Sequence, residues 1–261
     1  MSAPYYQDDS VTLYHGDCME VLGELTSGRA ESAAHVVVTS PPYNMGLTPG
    51  GNGRGMYRPG ANNKGGRFRE GYGDGDHDDA MPQPEYDAWQ REVLGLLWEL
   101  IPDDGAIFYN HRVRVEHGRA RLPLGMDFGP AVLRQIITWD RGTGIGVTGR
   151  HFCAVAEWIM LLARPEFKLR DHSASGMGDV WRLGMERDRS HPASFPASLP
   201  ARALDASAAR SALDPFAGSG TTLVAAKALG IPSIGIEKSE RYCEMAAKRL
   251  AQDALDFGGV A

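Results

Sequence analysis

The sequence predicts an α/β fold with a mostly parallel sheet, and three observations carry that expectation. Short β-rich runs alternate with helical patterns along the chain, the arrangement that wraps helices over a parallel sheet. Near the C-terminus an apolar run passes through a glycine turn into a helix and on to a second apolar run. The length, 261 residues, suits one domain with a sizeable apolar core, so 1–261 reads as a single unit.

Taken in order, the β-rich runs are 11–14, 36–39, 106–109, 135–139, 158–162, 213–216 and 233–237, a seven-stranded set. Between the second and third, Trp89, Val93, Leu96, Leu97 and Leu100 recur at helical spacing from Glu85 onward. Pro102 and Gly105 stop that pattern. A helix from Thr221, ended by Gly230, joins the last two runs. Residues 44–80 are rich in Gly and Asn and poor in aliphatic side chains, and read as a long mobile loop.

Apolar residues make up 43% and charged residues 23% of the chain, ordinary globular usage that excludes wholesale disorder or a fibrous repeat. No apolar run approaches the roughly 18 residues that span a bilayer, and the first residues lack the basic and apolar stretches of a signal peptide; a cytoplasmic protein is expected. Cys18, Cys153 and Cys243 are odd in number and far apart, which fits three reduced thiols rather than a disulfide framework or a zinc site. The formal net charge is −6, but its placement is uneven. Acidic residues crowd into 70–104, whereas Arg112, Arg114, Arg119, Arg121, Arg134, Arg141, Arg150, Arg164, Lys168 and Arg170 make the middle of the chain basic. That middle is either a phosphate-binding face or a solvated surface, and charge alone does not choose.

The strongest chemical signal is Asp214-Pro-Phe-Ala-Gly-Ser-Gly-Thr-Thr222, a strand, glycine turn and helix start. Gly218 and Gly220 remove Cβ atoms where a ligand approaches the backbone, and the helix after them aims free N–H groups at a negative group. The next run ends in Glu237, about twenty residues on, where dinucleotide-type sites place a carboxylate for ribose hydroxyls. The turn lacks the Gly-x-Gly-x-x-Gly spacing of pyrophosphate binders, so a nucleoside ligand carrying a carboxylate fits better than a diphosphate. A second signal is the strand 36–39 stopping in Ser40-Pro41-Pro42-Tyr43. Prolines donate no backbone hydrogen bond, so their carbonyls sit in a stiff turn as acceptors suited to gripping an amino group, and Tyr43 offers a ring on which a base can stack. Taken alone, that tetrapeptide is equally a rigid strand end with a packed tyrosine.

These segments resemble the amino-methyltransferases of bacterial and phage DNA modification, of N4-cytosine or N6-adenine type, in the permuted group whose catalytic motif precedes its cofactor motif. The resemblance implies a Rossmann-like class I methyltransferase fold in circularly permuted order, with S-adenosylmethionine as methyl donor, S-adenosylhomocysteine as product and no metal. It implies that Asp17, in Tyr14-His-Gly-Asp17-Cys, contacts the adenine of the cofactor and that Ser40, Pro41, Pro42 and Tyr43 are catalytic. In His191-Pro-Ala-Ser-Phe195-Pro, His191 and Phe195 help hold the methionine end. Asp214, Phe216, Gly218, Ser219, Gly220, Thr221 and Thr222 form the cofactor turn, and Glu237 is the ribose carboxylate.

Relatives acting on adenine usually carry Asp where this chain has Ser40, whereas Ser is commoner among those acting on N4 of cytosine, so cytosine is favoured and adenine N6 is the alternative. Carbon-5 methylation needs a nucleophilic thiolate, and no cysteine sits in the catalytic turn. DNA is the implied partner; a homodimer and a separate cognate restriction nuclease are compatible with it, and no membrane is involved. Only residues 164–190 remain for a target-recognition insert. Arg54, Arg58, Lys64, Arg67 and Arg69 place cations in the Gly-rich loop, which either closes over DNA or is passive, and Arg141 and Arg150 are expected along the DNA groove. RNA or protein methylation, and a DNA-binding module without catalysis, are the rival readings; relatives of the first kind usually place the cofactor turn first.

Overall fold

A computed structural model describes residues 3–28, 33–44, 81–116, 118–144, 149–185 and 195–252. The strands are β1 (Tyr6–Gln7), β2 (Val11–His15), β3 (Val36–Thr39), β4 (Ala106–His111), β5 (Arg114–Glu116), β6 (Arg119–Arg121), β7 (Leu133–Asp140), β8 (Ala156–Ala163), β9 (Val180–Arg182), β10 (Ala212–Asp214) and β11 (Ser233–Glu237). The helices are α1 (Cys18–Ser27), α2 (Gln83–Leu100), α3 (His172–Gly176), α4 (Ser198–Ala206), α5 (Thr221–Ala228) and α6 (Glu240–Ala251). All seven β-rich runs of the sequence lie in one sheet, ordered β1-β2-β11-β10-β3-β4-β8-β7-β9. It has nine strands because β1 and β9, two and three residues long, cap its edges; runs that short leave no periodicity to read.

From β2 across β11, β10 and β3 to β4 every pairing is parallel, while β4, β8 and β7 pair antiparallel. Parallel strands covered on both faces carry continuous apolar runs, and the strand alternation divides them between two layers. Val37, Ile107, Tyr109, Met160 and Leu162 face α1 and α2, whereas Val36, Val38, Phe108, Ile159 and Leu161 face the layer containing α4. Leu223 and Cys243, from α5 and α6, pack with Val11 and Leu13 of β2. The helix read from Glu85 is α2, ending before Pro102 as its sequence dictates.

Much of the basic middle of the chain serves the fold. Arg164 donates to the carbonyl of Trp98 at 2.6 Å and lies 4.5 Å from the Trp98 ring centroid, and Arg134 donates to the carbonyls of Phe167 and Arg164. The described part of the expected recognition insert, residues 164–185, packs onto the sheet: β9 extends β7, and Trp181 is buried, stacked on Phe108. Among the described residues no helix is long and apolar enough to cross a membrane.

Candidate functional site

The parallel strands bring distant segments to one edge. β10 continues toward β11 and β3 toward β4, so their connections leave in opposite directions and a crevice opens at the carboxyl ends of β10 and β3. Along that edge Asp17 follows β2, Glu237 ends β11, Asp214 ends β10 and Ser40 follows β3. All four line one hollow with Pro41, Pro42, Tyr43, Phe195, Phe216, Gly218, Ser219 and Thr221. Two stretches separated by some 170 residues of sequence are thereby joined, and Thr39 Oγ1 donates to Asp214 Oδ1 at 2.6 Å to tie β3 to β10.

The glycine turn is held from both sides. Gly218 adopts φ 52° and Gly220, the N-cap of α5, φ 80°, both left-handed. A Cβ on Gly220 would stand 2.9 Å from Ala246 Cβ, so this glycine admits α6 rather than a ligand, and it does not line the hollow. Thr222 does not line it either; its hydroxyl donates to the Val38 carbonyl at 3.2 Å and is fully buried. Glu237 accepts from Gly218 N at 2.7 Å and Ser239 N at 2.8 Å, one backbone donor on each oxygen. Burial nevertheless pushes its carboxyl above the usual range, as it does that of Asp214. Behind the turn, Arg249 of α6 donates to Ser219 O at 2.7 Å, Ser219 Oγ at 3.0 Å and Thr221 Oγ1 at 3.3 Å. Asp17 caps α1 through Met19 N at 2.9 Å, and its other oxygen accepts from Lys238 at 3.1 Å.

On the β3 side, Ser40 and Tyr43 belong to a directed hydrogen-bond chain. Glu157 of β8 and Arg141 after β7 form an ion pair at 3.0 Å, both at most 9% exposed. The carboxylate can only accept, and its second oxygen does so from Tyr43 OH at 3.0 Å and Asn110 Nδ2 at 2.9 Å. With its proton spent on Glu157, the Tyr43 oxygen accepts from Asn110 Nδ2 at 2.6 Å and, also at 2.6 Å, from Ser40. The Ser40 hydroxyl therefore points its proton at Tyr43 and leaves lone pairs for the hollow. Tyr43 is buried rather than open for stacking, its ring 4.9 Å from that of His111. Pro42 O already accepts from Tyr86 OH at 2.7 Å. Since Tyr86 donates there, His111 Nε2, 2.9 Å from Tyr86 OH, must be the donor of that pair, and Nδ1 accepts from Arg112 N at 2.9 Å. Burial pushes His111 down to about 4, so this neutral tautomer persists at physiological pH.

Of the expected DNA contacts, Arg150 is exposed between β7 and β8, whereas Arg141 is buried, paired to Glu157 and donating to the Ala154 carbonyl at 2.8 Å. His191, Arg54, Arg58, Lys64, Arg67 and Arg69, and the loop beyond Asn44, lie outside the described residues. Trp89, Asn110, Glu157, Tyr242 and Arg249 belong to no motif. Trp89 sits on the apolar stripe of α2 yet lines the hollow, its ring 5.6 Å from Phe216. A charged Glu157 inside an otherwise apolar strand was the one legible signal among them. Cys18 also lines the hollow, but burial pushes its thiol up to about 12, as it does that of Cys243, so neither is a ready thiolate.

The chain is 26% identical to the Type II methyltransferase M.ScaI of Streptomyces caespitosus, over 97% of this chain and 86% of that one. It is 25% identical to the Type II methyltransferase M.BglII of Bacillus subtilis, over 92% of this chain and 68% of the relative. In fold it is similar to the PvuII DNA methyltransferase (cytosine-N4-specific), with a TM-score of 0.72 at 16% identity, covering 97% of this chain and 90% of that one. It is also similar to M1.HpyAVI in its S-adenosylmethionine complex, with a TM-score of 0.59 at 17% identity, covering 92% and 99%. The N6_N4_Mtase model, described as DNA methylase, matches residues 34–248, and the chain belongs to that family of DNA methyltransferases acting on amino nitrogens.

Proposed function

We propose that the protein transfers the methyl group of S-adenosylmethionine to the N4 amino group of a cytosine extruded from DNA, in a single domain whose catalytic strand end precedes its cofactor turn in the permuted order. The donor set fits that cofactor: two carboxylates for a nucleoside, a glycine turn opening α5, and the rings of Trp89, Phe216 and Tyr242 along one hollow. S-adenosylmethionine supplies a methyl group on a sulfonium centre and leaves as S-adenosylhomocysteine. Glu237 retains acceptor sites for ribose hydroxyls beside its two backbone bonds, and Asp17 stands across β11 from the turn for the adenine amino group. His191 is assigned to the methionine end, with Phe195 as wall.

The observation that carries the reading is the orientation of Ser40. An exocyclic amine conjugated to its ring is a poor nucleophile until an acceptor draws its N–H out of plane. Ser40 Oγ, its own proton committed to Tyr43, is such an acceptor at the rim of the cofactor hollow. A neutral hydroxyl at that position favours cytosine over adenine, for which the carboxylate of an aspartate would add charge assistance. The cytosine-N4 specificity printed for the PvuII enzyme, which shares the fold, agrees with the choice. The likeness to Type II methyltransferases supports a role in restriction-modification, for which we infer a separate nuclease partner and a cytoplasmic location. Nucleoside mass spectrometry of DNA incubated with protein and labelled S-adenosylmethionine tests the proposal: N4-methylcytosine is expected, and N6-methyladenine, or label only in RNA or protein, refutes it.

A further inference from the structure

Beside the catalytic turn lies a second hollow that the chemistry above does not use. The ribbon of β5 and β6 forms one wall, and Gln83, Tyr86 and Asp87 of α2 form another. Among the described residues, four guanidiniums line it, from Arg112, Arg114, Arg119 and Arg121, against the one carboxylate of Asp87, and buried His111 adds no charge at neutral pH. On a chain of formal net charge −6 this is a local concentration of positive charge. Its members differ in attachment. Arg114 is 5% exposed and donates to Gln83 Oε1 at 2.8 Å and to the Asn44 carbonyl, fixing the ribbon to α2 and to the end of the catalytic turn. Arg112 keeps a buried Nε with no hydrogen-bond partner, while Arg119 and Arg121 are exposed on β6. The groove and the methyl-transfer hollow share a wall: Tyr86 OH donates to Pro42 O, and His111, which lines the groove, packs against Tyr43.

We propose that this groove holds backbone phosphates of the DNA strand that carries the target base, next to the extruded nucleotide. Phosphates follow one another closely along a strand, so a nucleotide seated at Ser40 places its neighbours within reach of a wall one side chain away. Guanidiniums take phosphate oxygens in two-pronged fashion, and two exposed ones on β6 beside the more buried Arg112 and Arg114 suit contact with a sequence-independent backbone. Arg119 and Arg121 are thus binding residues, and Arg112 and Arg114 shape the groove.

The inference rests on DNA being the substrate, and its test keeps the two apart. Two labelled duplexes of unrelated sequence are titrated with wild type and with the Arg119→Gln/Arg121→Gln double variant between roughly 50 and 200 mM salt, while S-adenosylmethionine affinity is measured by calorimetry. Each phosphate contact contributes about 0.9 to the slope of log affinity against log salt, so the variant should lose about two from that slope on both duplexes with cofactor affinity unchanged. Arg210→Gln serves as control, since that residue is 61% exposed and paired with Asp104 at the amino end of β10, away from the hollow; its slope should match wild type. An unchanged slope in the double variant overturns the groove, as does a loss confined to one duplex, which would mean base reading. Wild type that binds neither duplex refutes DNA as substrate, and the groove falls with it.

Discussion

Replacing Glu157 with Gln tests the directed chain that ends on Ser40. The substitution keeps the shape of the side chain but exchanges one acceptor for a donor. With the amide oxygen turned to Arg141, its NH2 faces Tyr43 OH and Asn110 Nδ2, both of which now donate to Glu157. Tyr43 must then accept from the amide, and its proton has Ser40 Oγ, 2.6 Å away, as the remaining acceptor. Ser40 in turn swings its own proton into the hollow, where the target amine needs a lone pair. Loss of that one hydrogen bond at the transition state is worth about 1.4–2.8 kcal/mol, so single-turnover methylation should slow about 10- to 100-fold at saturating cofactor. Removing one charge of a buried pair costs about 3–5 kcal/mol, less here because the amide keeps one bond to Arg141, and a domain of this size has about 5–15 kcal/mol to lose. The variant should therefore fold, melt lower and bind S-adenosylmethionine as wild type does. Tyr43→Phe removes the hydroxyl without forcing a proton onto Ser40, so its rate should lie between wild type and E157Q. A lowered melting point with unchanged rate in E157Q, or a slower Y43F than E157Q, would refute the reasoning.

Glu237→Gln sets an amide N–H against the N–H of Gly218 or Ser239, leaving a backbone donor without its acceptor at about 1–3 kcal/mol; calorimetric affinity for S-adenosylmethionine should fall tenfold or more. Because burial raises the Glu237 pKa, wild-type cofactor affinity should begin to fall on acidification above the usual carboxylate range, and titrations that show the decline only below that range would contradict it. Arg249→Ala frees the back of the glycine turn, three contacts including a charged bond to Ser219 O, and should weaken cofactor binding about tenfold without altering the Ser40 chain; equal affinity in calorimetry would refute the clamp. His111, whose folded pKa is lowered from 6.5 to about 4, contributes stability that is present above 6.5 and lost as pH falls through about 4. That contribution is on the order of 3 kcal/mol at neutral pH, and the acid limb of the stability curve should be shallower in His111→Gln, as denaturant melts across that range will show.

What the sequence made legible follows from how short-range the signals are. The seven principal strands, α2 and the turn at Gly218 each announce themselves within a few consecutive residues, by an apolar run or a glycine at a forced φ. Asp17 was readable only through the family resemblance, whereas Ser40, Asp214 and Glu237 stand in local motifs; all four share one edge because each follows or ends a strand of a parallel sheet. Arg141 was not readable, since an arginine in a basic stretch looks the same whether it meets phosphate or a carboxylate on the next strand. Gly220 shows the same limit: a glycine at a cofactor turn was read as room for a ligand, and α6 occupies that room. Glu157 and Asn110 act on Ser40 through Tyr43 in the turn after β3, and nothing local to β8 or β4 tells which side chains the register will set opposite them.

The antiparallel half of the sheet explains why those two residues matter. The proposed methyl transfer requires the acceptor at Ser40 to stay put while DNA is bound and released, yet Ser40 sits just past a strand end. β4 is parallel to β3 but antiparallel to β8, so the carboxyl end of β4, with Asn110, meets the amino end of β8, with Glu157, beside the catalytic turn. β7 then brings Arg141 against Glu157 from the far side. Three strands thus brace a turn that the parallel half alone would leave open. The brace fixes hydroxyl direction rather than shape, because the hydroxyls of Tyr43 and Ser40 each have both a proton to give and a lone pair to offer, and the acceptor at Glu157 decides which way they point.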